Sequence, residues 1–196
     1  HNQRLVRKRL SETDVITIRE PESILQLSKL GLTNPDIILT ADPAFCLEEP
    51  PAEWTARLRK KFGMGEDGAY FAVALRAFRQ NHGKNCRAIA DICDRIFEQY
   101  GLTPVFFPMH TPLDLGVTQE VMSLCRHPCL LVSNVTGREM MGLLRGMRFC
   151  MAMRLHTLIY ASAVSVPAIG ICYDAKIEAF LRYMGTPYVT EAENVR

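Results

Sequence analysis

Residues 153–174, MRLHTLIYASAVSVPAIGICYD, constrain the fold more than any other stretch, because strand, helix and strand patterns succeed one another there with the polar groups at the turns. The apolar segment 148–153, RFCMAM, has the length and composition of a strand. Small and aliphatic residues over 157–164 suit a buried helix, which must stop before Pro167. The next apolar run, 168–172, is too short for a helix and is closed by Tyr173 and Asp174, so it reads as a second strand. Two strands joined through a helix in so little chain make a βαβ unit with a right-handed crossover. Arg154 and His156 then fall at the carboxyl end of a parallel strand, beside a helix amino terminus whose free N–H groups favour an anion. Either residue alone would suit a plain structural role, so the rest of the chain decides.

The same alternation fills the carboxyl-terminal part. Strand 70–75 ends at Arg76, and helix 86–100 carries Ile89, Ile92, Cys93, Ile96 and Phe97 as a 3.6-residue stripe before Gly101 stops it. Strand 104–107 ends at Pro108, Met109 and His110, and helix 115–125 follows with Asp114 near its start. Strand 129–132 ends at Ser133 and Asn134, helix 137–145 follows, and after the central block a last helix covers 176–184. Five strands alternating with helices predict a doubly wound, Rossmann-like α/β domain over 69–196. Upstream, 1–10 reads as a basic amphipathic helix, 15–18 as a strand, 21–30 as a helix between Pro21 and Gly31, and 36–40 as a strand. These are too few for a complete sheet. Residues 1–46 therefore read as the tail of an amino-terminal α/β domain, and the charged, proline-bearing stretch 47–68 as a linker with a short helix.

With 48% hydrophobic and 22% charged residues, the 196-residue chain has the balance of a globular protein rather than a disordered one. A net charge of +2 is too small to drive binding to nucleic acid or an anionic membrane, so any basic site must be local. No apolar run approaches the ~20 residues that cross a bilayer, and HNQRLVRKRL lacks the apolar stretch of a signal peptide. The expected location is cytoplasmic, or the inner face of the membrane. Seven cysteines lie within apolar segments rather than in paired spacings, as reduced thiols do. Cys125 and Cys129 with His127 come nearest to a metal motif, but no second ligand pair follows and no metal is expected.

The residues that end successive strands are Arg76, His110, Ser133 with Asn134, Arg154 with His156, and Tyr173 with Asp174 and Lys176. In open α/β sheets the ligand crevice lies outside these ends. Three cations, two imidazoles and a hydroxyl on one edge fit a small anionic ligand, whereas Arg79, Lys84 and Arg87 fit solvated loop charges.

Met153-Arg154-Leu155-His156, followed by Val166-Pro167-Ala168-Ile169-Gly170-Ile171 and Tyr173-Asp174-Ala175-Lys176, resembles the carboxyl-terminal signature of the polysaccharide pyruvyl transferases. Thr17-Ile18-Arg19-Glu20-Pro21-Glu22-Ser23 is similar to that family's R-D-x-x-S segment, with Glu20 where Asp is usual. Asp42-Pro43-Ala44-Phe45, Val73-Ala74-Leu75-Arg76, and Pro108-Met109-His110 with Asp114 resemble further landmarks. The resemblance implies a GT-B-like pair of Rossmann-type domains with a cleft between them. It also implies phosphoenolpyruvate as donor and, as acceptor, a lipid-linked sugar of a cell-wall polymer or exopolysaccharide. The nearest kind is the bacterial one whose pyruvylated secondary polymer anchors S-layer proteins. No cofactor beyond the co-substrate is implied. Most of the family's amino-terminal domain lies outside this sequence, so acceptor specificity is expected there, and this stretch alone is expected to bind donor without turnover.

Phosphoenolpyruvate carries a carboxylate and a phosphate, and arginine forks suit both. On that reading Arg76 and Arg154 clamp the donor, Lys176 meets its phosphate, and Ser133, Asn134 and Tyr173 complete the donor set. His156 is the principal general acid or base, with His110 or Asp114 a second, facing the acceptor. Two other readings share the fold: a GT-B glycosyltransferase or epimerase using a nucleotide sugar, and a non-catalytic domain that binds an anion or a partner.

Overall fold

In the computed structural model, which describes residues 2–32, 36–78, 80–186 and 189–191, the chain divides between Phe45 and Cys46 into two units. The first holds helix α1 (Asn2–Leu10), strand β1 (Val15–Ile18), helix α2 (Glu22–Lys29) and strand β2 (Asp36–Leu39). The two strands pair in parallel, Val15 opposite Asp36 and Ile18 opposite Leu39, as a βαβ connection requires. Pro21 stands at the amino end of α2, and Gly31, with φ of 66°, follows its last turn. Among the described residues of this unit, Asp42 alone is buried.

The second unit begins with helix α3 (Ala52–Lys61) and then alternates: β3 (Tyr70–Ala74), α4 (His82–Tyr100), β4 (Thr103–Phe106), α5 (Leu113–Leu124), β5 (Leu130–Leu131), α6 (Gly137–Leu144), β6 (Cys150–Ala152), α7 (Leu155–Ala163), β7 (Ala168–Cys172), α8 (Ala175–Tyr183) and β8 (Val189–Glu191). All six strands are parallel, in the order β5-β4-β3-β6-β7-β8. Counted within the unit this is 3-2-1-4-5-6, the doubly wound order, and its direction reverses between β3 and β6.

Strand β3 lies at the middle of this sheet and every one of its residues is buried. Its side chains alternate between faces, as period-two geometry dictates. Phe71, Val73 and Leu75 enter an apolar layer with Cys86, Ile89, Val117 and Val121 of α4 and α5. Ala72 and Ala74 enter the opposite layer with Leu143, Leu158 and Leu181 of α6, α7 and α8. Each large side chain so buried contributes about 1.5–3 kcal/mol. Burial on both faces is why the strands read as continuous apolar runs rather than alternating ones.

Four features differ from the sequence expectation. Strand β5 has two residues where four were expected, and β8 is an additional strand whose Val-Thr-Glu carries no apolar signal. Helix α4 begins at His82, ahead of the apolar stripe, with Asn81 left-handed (φ 50°) before it. The stretch expected as a linker, 47–68, packs within the second unit instead. There Leu58 of α3 is buried and α3 lies against α6, Arg145 pairs with Glu49, and Trp54 Nε1 donates to Glu139 at 3.1 Å. Gly142 permits the approach, since a Cβ there would stand 2.7 Å from Thr55 Oγ1 and 3.0 Å from Pro50 Cγ. Among the described residues no helix is long and apolar enough to cross a membrane.

Candidate functional site

The carboxyl ends of the six strands share one edge, and the strand-end residues fall there in three sets. Arg76, after β3, places its guanidinium 4.6 Å from the centre of the Tyr173 ring, which follows β7. A cation over an aromatic face is held both by the ring's charge distribution and by contact. Tyr173 leads into Asp174, the cap of α8, whose carboxylate accepts the Lys176 N–H at 3.2 Å and pairs with Lys176 Nζ at 3.4 Å. The Lys176 N–H, aided by the charges of Lys176 and Arg76 and opposed by partial burial, holds the Asp174 carboxyl below its ordinary range. Lys176 is therefore a cation shared with its own cap.

Arg154 stands at the amino end of α7. Its Nε donates to Asp114 Oδ2 at 2.9 Å and its Nη2 to Oδ1, a two-pronged pair between residues 40 apart in sequence. Asp114 is wholly buried. Its Oδ2 also accepts the His110 N–H at 2.9 Å, and its own N–H donates to the His110 carbonyl at 2.9 Å. The turn after β4 is thus bonded to the start of α7. A carboxylate so enclosed fixes the direction of the arginine fork. The pair engages Nε and Nη2 and leaves Nη1 to other partners. The side chain of His110 is exposed.

Beyond β4 and β5 opens a cavity of about 220 Å3, lined by Phe107, Met109, Asn134, Thr136, Gly137 and Tyr160 among others. Asn134, left-handed at φ 57°, turns the chain out of β5, and half-buried Ser133 precedes it. Thr136 caps α6 in a reciprocal box with Glu139, which satisfies two amides at that helix end. A Cβ on Gly137 would meet the Tyr160 hydroxyl at 2.7 Å, so glycine lets that ring lie over the first turn of α6. His156 sits one turn before Tyr160 on α7, exposed to solvent, with ring centres 6.2 Å apart.

Every strand-end residue read from the sequence thus lies on this edge, while Tyr160, Thr136 and Gly137 were not foreseen. Thr136-x-x-Glu139 is a legible capping pattern, and Tyr160 follows His156 by four, the spacing that puts two residues on one helix face. In the first unit Arg19 pairs with Asp42, whose Oδ1 also accepts the Ala44 N–H at 2.9 Å. The Thr17–Glu20 and Asp42–Phe45 motifs therefore meet at the carboxyl ends of β1 and β2. His127, between Cys125 and Cys129, stacks on Phe97 at 4.6 Å and bonds Glu98 at 2.9 Å.

Comparison with known proteins gives the fold and the family. The chain is similar to the UDP-GlcNAc 2-epimerase of Methanocaldococcus jannaschii, at 14% identity and a TM-score of 0.67, covering 92% of this chain and 52% of that one. The Neisseria meningitidis UDP-GlcNAc 2-epimerase gives 14% and 0.65 over 93% and 51%. A glycosyltransferase of Rickettsia africae gives 10% and 0.61 over 96% and 53%. The chain spans about half the length of these proteins, and at such identities the likeness is one of fold, the GT-B type. No curated protein sequence matches it. The family model described as polysaccharide pyruvyl transferase matches residues 1–175, a span that takes in the first unit, most of the second and every strand-end residue through Asp174. The chain belongs to the polysaccharide pyruvyl transferase family.

Proposed function

We propose that this chain carries the donor site of an enzyme that transfers pyruvyl from phosphoenolpyruvate to a polysaccharide, forming a pyruvate ketal. The observation that carries the reading is the placement of Arg76 and Arg154 at the ends of β3 and β6, the strands flanking the reversal of strand order, with Lys176 beyond β7. Arg76 is oriented by Tyr173 and Arg154 by Asp114. Two forks set before binding lose less freedom on meeting a carboxylate and a phosphate than two mobile ones. The amino end of α7 adds backbone N–H groups for the same anion, and Ser133, Asn134 and the cavity at α6 complete the donor pocket.

Ketal formation joins both sugar oxygens to the central carbon of the donor and breaks that carbon's bond to the phosphate oxygen, releasing inorganic phosphate. Each hydroxyl gives up one proton; one is balanced by protonation of the methylene carbon, which becomes the methyl, and the other leaves with the phosphate. Imidazole is the side chain most often used in general acid–base catalysis, and the exposed rings of His156 and His110 are open to substrate, which gives His156 the principal role and His110 the second. Asp114 acts as a positioning residue through Arg154. The donor's own carboxylate offsets positive charge at the central carbon. The acceptor we assign is a lipid-borne sugar of a cell-wall polymer or exopolysaccharide at the inner face of the membrane, the S-layer-anchoring polymer being the nearest kind.

A nucleotide-sugar reading is favoured by one observation, that a similar epimerase is known in complex with UDP-GlcNAc and UDP. Calorimetry and thermal shift with phosphoenolpyruvate, UDP and UDP-sugars decide between them. Saturable phosphoenolpyruvate binding that Arg154→Ala removes supports the donor site, whereas binding of UDP alone overturns it. With an amino-terminal domain supplied to complete the cleft, His156→Ala is expected to keep donor binding and to abolish transfer.

A further inference from the structure

Outside that edge, a second set of reactive side chains converges between α4 and α5. His82 and Cys86 are four residues apart and so project from one face of α4. Glu120 reaches them from α5, which packs alongside. His82 Nε2 lies 2.8 Å from Glu120 Oε2 and 3.7 Å from Cys86 Sγ. One ligand atom from each of the three lies within 4.8 Å of the others. Cys86 is fully buried, whereas the His82 and Glu120 side chains are 41% and 42% exposed.

We propose that His82, Cys86 and Glu120 bind a zinc-class divalent cation. Imidazole nitrogen, thiolate sulfur and carboxylate oxygen are the donor types zinc takes. Tetrahedral bonds of about 2.0–2.1 Å to nitrogen and oxygen and about 2.3 Å to sulfur put nitrogen and oxygen ~3.3 Å apart and nitrogen and sulfur ~3.6 Å apart. The observed 2.8 and 3.7 Å lie within about half an ångström of those separations. The third separation, carboxylate oxygen to sulfur, lies within 4.8 Å against the ~3.6 Å of a tetrahedral site, so closing the site takes rotation of the half-exposed Glu120 side chain toward Cys86. The hydrogen bond between His82 and Glu120 accounts for those two residues, but a thiol beside the same imidazole adds the soft donor that distinguishes a cation site from a surface ion pair. The half-exposed histidine and glutamate give an entry path, and three protein ligands leave a fourth position for water.

His82 is the first residue of α4, six after Arg76, and Glu120 belongs to the helix whose second residue is Asp114. A cation here ties the segment following Arg76 to the helix carrying Asp114. That coupling, unlike cation binding itself, rests on the donor-site reading.

The test is titration of the whole reduced, chelator-treated chain with cobalt(II) and then zinc(II). One equivalent of cobalt is expected to give a thiolate charge-transfer band and tetrahedral visible bands, displaced by zinc, and zinc is expected to raise the Tm. Cys86→Ser is expected to remove the charge-transfer band. His82→Gln and Glu120→Gln, at half-exposed positions that leave the fold intact by circular dichroism, are expected to weaken zinc at least tenfold, and they decide the matter if Cys86→Ser folds poorly. Absence of binding to the unmodified chain overturns the proposal. So does affinity unchanged in these variants, or binding lost instead when Cys125 and Cys129 are replaced. Loss of phosphoenolpyruvate binding with zinc binding intact would overturn the donor reading alone.

Discussion

The side chain of Arg154 has two of its nitrogens committed to Asp114, so the direction of its guanidinium depends on a wholly buried carboxylate. Asp114→Asn keeps the size of the side chain and removes the charge the fork requires. With Arg154 partly open to water, the expected loss of stability is about 1–3 kcal/mol, accompanied by weaker phosphoenolpyruvate binding. Combining it with Arg154→Gln should cost less than the two single changes summed, with a coupling of about 1–3 kcal/mol in urea unfolding. Additive losses would mean the two residues act independently. Gly137→Ala places a methyl against the Tyr160 hydroxyl and is expected to cost about 1–3 kcal/mol, partly recovered by adding Tyr160→Phe. Arg154 and His156 were legible because they interrupt an apolar run at a strand end. The role of Asp114 was not, since spacing carries no sign of a partner 40 residues away, and Tyr160 looked like one more core residue of α7.

At the scale of elements, α4 shows how a buried charge can fasten two helices. The Asp94 carboxylate is almost fully buried and accepts the Arg126 N–H at 3.0 Å, Arg126 Nε at 3.0 Å and the His127 N–H at 3.2 Å, pinning the turn after α5 to α4. Burial opposes ionisation, but the Arg126 and His127 hydrogen bonds outweigh it and hold the carboxyl below its ordinary range. A folded-state pKa below the unfolded one of ~3.9 means that the stabilisation is complete above that value and is lost as pH falls through the lower folded one. Asp94→Asn should therefore flatten the acid limb of stability against pH and cost about 1–3 kcal/mol near neutrality. An unchanged acid limb in chemical denaturation would remove Asp94 from that role. The main strands and helices of this unit were readable, because a sheet buried on both faces writes apolar runs closed by Gly, Pro or charge. The stretch 47–68 reads as a linker with a short helix, whose docking was not legible because α3 meets α6 through Leu58 and a fringe of polar bonds, and β8 escaped because backbone pairing with β7 requires no apolar side chains.

Across the whole molecule the two units differ in what holds them. The second wraps a six-stranded sheet in two apolar layers. The first has two paired strands and, among its described residues, no buried apolar side chain, with Leu25 64%, Val15 51% and Ile38 49% exposed. Two strands and two helices without a core are marginal by themselves, and regions with little buried apolar surface open at low free energy. Amide exchange is therefore expected to be fast at Ile16–Ile18 and at Ile37–Leu39 and slow at Ala72, Val73 and Met151, whose strands lie at the centre of the sheet. Limited proteolysis should cut first within residues 1–45 and leave a fragment starting near Cys46 with its sheet intact by circular dichroism. Because Arg76, Arg154, His156 and Lys176 all lie in that fragment, it should bind phosphoenolpyruvate as the uncut chain does. A folded fragment that has lost binding would move the donor site away from the strand edge of the second unit, and uniform protection of both sheets would show that the first unit is held by more than its own contacts.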